Sequence, residues 1–249
     1  MISVSIVSHG HGDMVVVLLR QLLACPEVAQ VIITRNLPEN LELPGGERVL
    51  LLDNAKPLGF AANHNAAFRH CIATFFCVLN PDIELSGNPF PALLKALQSS
   101  PAALVAPLVQ GSEGKTEDYA RRFPTIAQLA MKLLAKGDGG RYALQPGDPD
   151  FMPEWVAGMF MLFPAERYAA LRGFDEGFRL YYEDVDLCIR AWRAGYGVLT
   201  TPAVSVIHRA QRASRRKLRY LVWHLRSMAR YFIKHLGRLP RLPVAGGRV

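Results

Sequence analysis

The 249-residue sequence predicts an α/β fold with a mainly parallel central sheet flanked by helices. Two observations carry this. Apolar, β-branched runs of strand length alternate with runs of helical period through the first half of the chain, and turn-forming residues separate them. Half of the residues are hydrophobic, enough for one large core. In order, strands are expected at 2–7, 30–34, 48–52 and 75–79, and helices near 13–24, 61–71 and 89–98. Loops then follow Val7, Thr34, Leu52 and Leu79, and in open α/β sheets ligands bind beyond such carboxyl ends. Residues 110–150 are rich in Gly and Pro around one helical piece at 126–135, which predicts a long excursion over the site. A buried segment at 155–163, a helix at 165–171 and a turn at 172–176 complete the order.

Composition excludes several classes. No uninterrupted apolar run approaches the ~18–20 residues that a membrane span needs. The start, Met1-Ile2-Ser3-Val4-Ser5-Ile6-Val7, reads as a strand rather than a signal peptide. Cys25, Cys71, Cys77 and Cys188 form no CxxC pair, so reduced thiols in a cytoplasmic protein are expected. The net charge of +8 is unevenly spread: 12 of the 29 Lys/Arg and none of the 21 acids fall after His208.

Three carboxylates fall within four positions at Glu183-Asp184-Val185-Asp186, behind Tyr181-Tyr182. A helix over 185–194 would place Val185, Cys188, Ile189 and Trp192 on one face and stop at Gly195. One reading makes Asp184 the helix cap, worth about 1 kcal/mol, with its neighbours complementing the helix dipole. The other gives the cluster chemistry. Elsewhere, Phe75-Phe76-Cys77-Val78-Leu79 runs into Asn80-Pro81-Asp82, which is either a plain turn or a carboxylate set at a strand end to hold a divalent cation. Leu58-Gly59 opens a helix with Asn63 or Asn65 in capping range, and its amides could face a phosphate. His208 ends the strand-like 203–207 and is either structural or an imidazole ligand.

Taken in order, these pieces resemble the inverting family 2 glycosyltransferases of GT-A fold, with a Rossmann-like sheet, and especially their rhamnosyltransferase-like branch. The matching stretches are Ser5-Ile6-Val7-Ser8-His9, Gly59-Phe60-Ala61 with Asn63 and Asn65, Leu79-Asn80-Pro81-Asp82, Arg121-Arg122-Phe123-Pro124, Trp155-Val156-Ala157-Gly158, Gly173-Phe174-Asp175-Glu176, Glu183-Asp184-Val185-Asp186 and His208. They span about 1–236. The resemblance implies transfer of a sugar, with rhamnose a candidate, from a nucleoside-diphosphate donor to an acceptor hydroxyl with inversion, in cell-envelope polysaccharide or glycolipid synthesis. It implies Asp184 as catalytic base with Glu183 as neighbour and substitute, which leaves helix capping to Asp186. Asp82 and His208 would hold Mg²⁺ or Mn²⁺; Ser8, His9, Asn36, Gly59, Asn63 and Asn80 would lie along the donor, and Trp155 and Gly158 on the acceptor side. An alcohol needs a positioned base, and a leaving diphosphate needs a Lewis acid, so two acidic centres suit the chemistry. The chain departs from the family at Ile33-Thr34-Arg35-Asn36, where many members carry Asp-Asn, so the donor base stays open among dTDP, UDP and GDP.

The resemblance assigns 1–208 to the catalytic domain and leaves 209–249 as a basic amphipathic helix and tail of the same domain or facing a membrane. From 214 to 236, Leu218, Leu221, Val222, Leu225, Met228, Ala229, Phe232, Ile233 and Leu236 recur at helical spacing among Arg215, Arg216, Arg219, Arg226, Arg230 and Lys234. Such a helix either packs on the domain with a solvated basic face or lies on the inner face of the cytoplasmic membrane, where a lipid-linked or saccharide acceptor would be met. No nucleic-acid partner is expected, because no reader motif or stacking set is present. Two rivals stand beside the enzyme: a nucleotide-sugar-binding protein without turnover, and a membrane- or polyanion-binding module.

Overall fold

In a computed structural model, residues 1–44, 46–134, 139–209, 218–240 and 242 are described. One eight-stranded sheet takes in β1 (Ile2–Ser8), β2 (Val28–Arg35), β3 (Val49–Asp53), β4 (Phe75–Leu79), β5 (Ile83–Leu85), β6 (Ala102–Gly111), β9 (Phe160–Pro164) and β10 (Gly197–His208), in the order β3-β2-β1-β4-β9-β6-β10-β5. A two-stranded ribbon pairs β7 (Ala120–Arg121) with β8 (Trp155–Val156). β3, β2, β1 and β4 run parallel, as do β6 and β10. β9 lies antiparallel between β4 and β6 and joins the two parallel sets.

Every residue of β1 is buried, which suits a strand covered on both faces. α1 (Asp13–Leu23) buries Val15, Leu18, Leu19 and Leu22, one helical stripe that packs toward β2. α2 (Phe60–Phe68) and α3 (Phe90–Gln98) follow β3 and β5, and α4 (Ile126–Leu133) sits in the Gly- and Pro-rich stretch. Position 135 of the expected helix lies outside the described residues. The stretch is closed on itself by a bridge from Arg121 to Arg141 and tied to the body by the β7–β8 ribbon and the Phe151–Thr200 bridge to β10.

After β3 the chain returns to the other side of β1, so strand order reverses between β1 and β4. The crevice beyond those two carboxyl ends is where a doubly wound sheet binds ligands. His9 and Asn80-Pro81-Asp82 are the residues that follow them.

The second half corrects several expectations. The expected 203–207 strand is the end of the longer β10. α5 (Ala165–Ala170) precedes α6 (Glu183–Arg193), which begins two residues earlier than its apolar period suggests. α6 is capped by Tyr182 in the left-handed conformation, with no side-chain cap, so neither Asp184 nor Asp186 caps it. Likewise α2 is capped by Gly59, not by Asn63 or Asn65. α7 (Leu218–His235) docks through Ser227, Tyr231 and His235, and its leucines face outward. Arg215 and Arg216 lie outside the described residues.

Candidate active site

Two residues 126 positions apart meet where β10 pairs antiparallel with β5: His208 lies across from Ile83. The Arg209 amide donates to the Asp82 carbonyl at 2.8 Å, which holds the Asn80-Pro81-Asp82 turn against the end of β10. The imidazole Nε2 of His208 comes to 3.2 Å from Asp82 Oδ2. Burial alone would lower the His208 pKa, but the hydrogen bond and charge of Asp82 outweigh it and leave it raised. Asp82 Oδ1 and His208 Nδ1 are buried and have no partner. A carboxylate and an imidazole with vacant donor atoms form a set that fits a borderline divalent cation. Among the described residues no cluster of three or more His, Cys, Asp and Glu surrounds them.

The second acidic centre connects to the first through backbone. Asn80 donates its amide to the Met159 carbonyl at 2.9 Å, where Leu79 of β4 pairs with Phe160 of β9. The neighbouring Gly158 amide donates to Asp184 Oδ2 at 3.0 Å, and Val185 donates to Oδ1 at 2.9 Å. A Cβ at Gly158 would lie 3.0 Å from the Phe60 ring and 3.8 Å from the Asp184 Cβ, so a side chain here would fit only if the Phe60 ring gave way by a few tenths of an ångström. Burial raises the Asp184 pKa against these two amide bonds. Glu183 is enclosed, its Oε2 has no partner, and burial followed by the charge of Asp184 pushes its pKa well up. Tyr181 and Tyr182, immediately before, both sit at positive φ, 71° and 68°. Each such residue stores on the order of 1–3 kcal/mol, so the turn that presents the acids is held by its surroundings.

The donor-side residues divide into exposed and enclosed. His9 keeps an accessible edge, and desolvation of its ring, then His11, lowers its pKa to about 4. Ser8, Asn36 and Asn63 are buried. Asn36 accepts from the Leu58 amide at 2.8 Å and donates to the Leu58 carbonyl at 3.0 Å. Asn54 donates to Asn36 and Asn63, and Asn63 donates to the Gly59 carbonyl at 3.0 Å. Asn36 and Asn63 thus shape the Leu58-Gly59 turn, while the Ser8 hydroxyl accepts from the His11 amide. Gly59 itself admits no side chain, since a Cβ there would meet the Arg179 carbonyl at 2.5 Å. The Trp155 ring is buried, and its Nε1 donates to the Arg122 carbonyl at 2.9 Å.

Two residues at this end escaped the sequence reading. His11 accepts from the His9 amide, and its pKa is lowered by burial although Asp82 and Glu39 pull it up, which places it in the field of Asp82. Glu39 accepts from the amides of Gly10 and Gly12. Two glycines at positive φ on either side of His11 were the available signal. Arg35, at the end of β2, grips Asp53 of β3 through two bonds of 2.5 and 2.7 Å.

Residues 33–163, more than half of the chain, match the family model of glycosyl transferase family 2. The chain belongs to glycosyl transferase family 2. As a family member it is a glycosyltransferase, and its large central sheet with packed helices is that of the GT-A fold. It is 29% identical over 246 residues to the rhamnosyltransferase WbbL of Escherichia coli (strain K12), covering 94% of this chain and 93% of that protein. It is 28% identical over 159 residues to an N-acetylglucosaminyl-diphospho-decaprenol L-rhamnosyltransferase of Mycobacterium tuberculosis, and spans 52% of that protein. Among solved structures, GalNAc-T7 with UDP, GalNAc and Mn²⁺ superposes with a TM-score of 0.65 at 16% identity, over 84% of this chain and 43% of the other. The mannosyltransferase PcManGT from Pyrobaculum calidifontis, with GDP-Man and Mn²⁺, gives 0.61 at 14% identity, over 97% of this chain and 65% of the other. No helix among the described residues of this family 2 chain is long and apolar enough to cross a membrane.

Proposed function

We propose that the chain is a metal-dependent, inverting glycosyltransferase that moves a sugar, rhamnose by its likeness to the two rhamnosyltransferases, from a nucleoside diphosphate to a hydroxyl of a cell-envelope saccharide. The observation that carries the reading is the backbone path from the Asp82–His208 pair through Asn80, Met159 and Gly158 to Asp184, which joins a cation site to a proton acceptor. Asp184, fixed by two amides, takes the acceptor's proton as its oxygen attacks the anomeric carbon. A raised pKa suits that role, because a stronger base removes a hydroxyl proton more readily. Glu183 is the adjacent acid that could substitute. Asp82 and His208 would hold a divalent cation, Mg²⁺ or Mn²⁺, which when bound would neutralise charge on the departing diphosphate. His9, Asn80 and the Leu58-Gly59 turn line the donor side, and Gly158 the acceptor side. Residues 1–208 form the catalytic unit on this reading and α7 an appendage to it. The acceptor is lipid-linked and met at the inner face of the cytoplasmic membrane, an extension of the diphospho-decaprenol named for the mycobacterial relative.

Thermal shifts with dTDP, UDP and GDP, and with their sugars, test this with and without Mn²⁺. One nucleotide is expected to raise Tm only when Mn²⁺ is present, by an amount corresponding to about 2.7 kcal/mol at a hundredfold excess over Kd. Asp82→Ala should abolish the Mn²⁺ requirement together with most of the shift, and His208→Ala should reduce it. A nucleotide shift indifferent to Mn²⁺ and unchanged in Asp82→Ala would refute the cation site.

A further inference from the structure

α7 has two faces of opposite character. At about 100° per residue, Ser227, Tyr231 and His235 fall on one side and Leu218, Val222, Leu225 and Ile233 on the other. The first side is buried: the Ser227 hydroxyl donates to the Leu180 carbonyl at 2.8 Å, the Tyr231 hydroxyl to the Pro124 carbonyl at 3.0 Å, and His235 lies 2.8 Å from Asp186. The second side is open, with Leu218 exposed by 75% and Ile233 by 86%. This inverts the usual arrangement of a surface helix, whose apolar stripe faces the core. Arg219 and Arg226 stand exposed along one flank of the open stripe, and no acid occurs anywhere in α7.

We infer that the outer face of α7 is a membrane-docking surface, with the leucine and isoleucine side chains inserted among lipid tails and the flanking arginines on anionic headgroups. A stripe of large aliphatic side chains bordered by cations complements an anionic lipid interface in both respects. A second copy of this chain complements it in only one, since a two-fold pairing would bring the same arginines to a shared seam in a chain already at +8. The docked face of the same helix holds the segment that presents the acids: the Tyr231 and Tyr182 rings lie 5.1 Å apart, and His224 stands against Tyr181. Docking therefore holds the turn before Glu183 and Asp184 one helix diameter, ~10 Å, from the lipid surface. The inference rests on the glycosyltransferase reading only for what that placement would serve; the binding itself requires neither donor nor acceptor.

Sedimentation of the full chain with phosphatidylcholine vesicles, with and without phosphatidylglycerol, tests this. Wild type is expected to pellet with the anionic vesicles at least tenfold more strongly than with the neutral ones. The double substitution Leu225→Asp and Ile233→Asp should remove most of that binding, and Arg226→Glu should weaken it several-fold. Both sites are solvent-exposed, so the circular dichroism spectrum and the nucleotide-dependent thermal shift should not change. Failure of wild type to bind anionic vesicles, or undiminished binding by the double variant, would overturn the proposal. So would a concentration-dependent dimer in analytical ultracentrifugation that the double variant abolishes. Vesicle binding by a chain that shows no nucleotide response would support the docking surface and remove the transferase reading instead.

Discussion

The first turn of α6 holds two carboxylate environments side by side. On the side of the active site, Glu183 and Asp184 are bonded to no cation among the described residues, and burial pushes both pKa values up. On the side of α7, Asp186 is more fully enclosed, and burial acts on it in the same direction. Its pKa nonetheless falls well below the usual range, because His235, Arg190 and Lys234 all reach its two oxygens, at 2.8, 2.8 and 2.6 Å. Partners, not depth, separate them. An acid satisfied by Arg190, Lys234 and the His235 ring is part of the frame, and an acid left with amides or nothing retains the capacity to exchange a proton.

Asp184→Asn breaks the comparison most directly. The amide oxygen can still accept from Gly158 or Val185, so the turn should survive, but the proton acceptor is gone. Transfer in a single-turnover assay is expected to fall by about 10³-fold, the usual scale for a general base. Donor affinity by calorimetry should stay within about twofold, because a base is required for attack and not for donor binding. Transfer at the wild-type rate, or equal losses in donor binding and turnover, would give Asp184 the same structural character as Asp186.

Asp186→Asn is the converse. Removing one member of a buried ion cluster leaves the others uncompensated and costs about 3 kcal/mol. For a chain of this size that corresponds to a drop in Tm of roughly 6–12 °C. Lys234 keeps its 2.6 Å contact with Asp175, and Arg190 its bonds to the Leu171 and Gly173 carbonyls, which limits the loss. The folded pKa of Asp186 lies below its unfolded value, so its contribution is complete above about pH 4 and disappears as pH falls through the folded value. Urea titrations at several pH values should show the gap between wild type and variant closing in acid. Turnover well below Tm should change only a few-fold.

This division was half legible in the sequence. Alternating strand and helix runs placed β1 to β4 within about two residues, because each is a local pattern of burial on a covered sheet. Asp82 and His208 were recognisable as strand-end residues, and the β5–β10 pairing brought them together. What failed had no local signature. Asp186 reads as a helix cap until α7, 49 positions away in sequence at His235, supplies its partners. Nor did the sequence show that Asn36 and Asn63 bond across the ends of β2, β3 and α2 to hold the Leu58-Gly59 loop. The apolar period of α7 was visible, but periodicity reports that a helix has two faces and not which one is docked.

The smallest effect sharpens the comparison through its sign. Glu183 has a folded pKa raised above its unfolded value of about 4.3, so between the two the folded chain holds a proton that the unfolded chain has lost. Stability therefore declines as pH rises through that window, opposite to the trend that Asp186 produces in acid. Glutamine keeps the size of the side chain and cannot ionise, so Glu183→Gln should make the chain more stable by about 1 kcal/mol near pH 8 and nearly neutral near pH 5. Paired urea titrations at the two pH values measure this. A gain for Glu183→Gln beside a loss for Asp186→Asn, three residues apart on one helix, would mean that the fold tolerates an unpaired acid at the site at a cost in stability. A loss at both positions would mean that Glu183 has a partner in solution and belongs with Asp186 to the frame, leaving Asp184 alone on the chemical side.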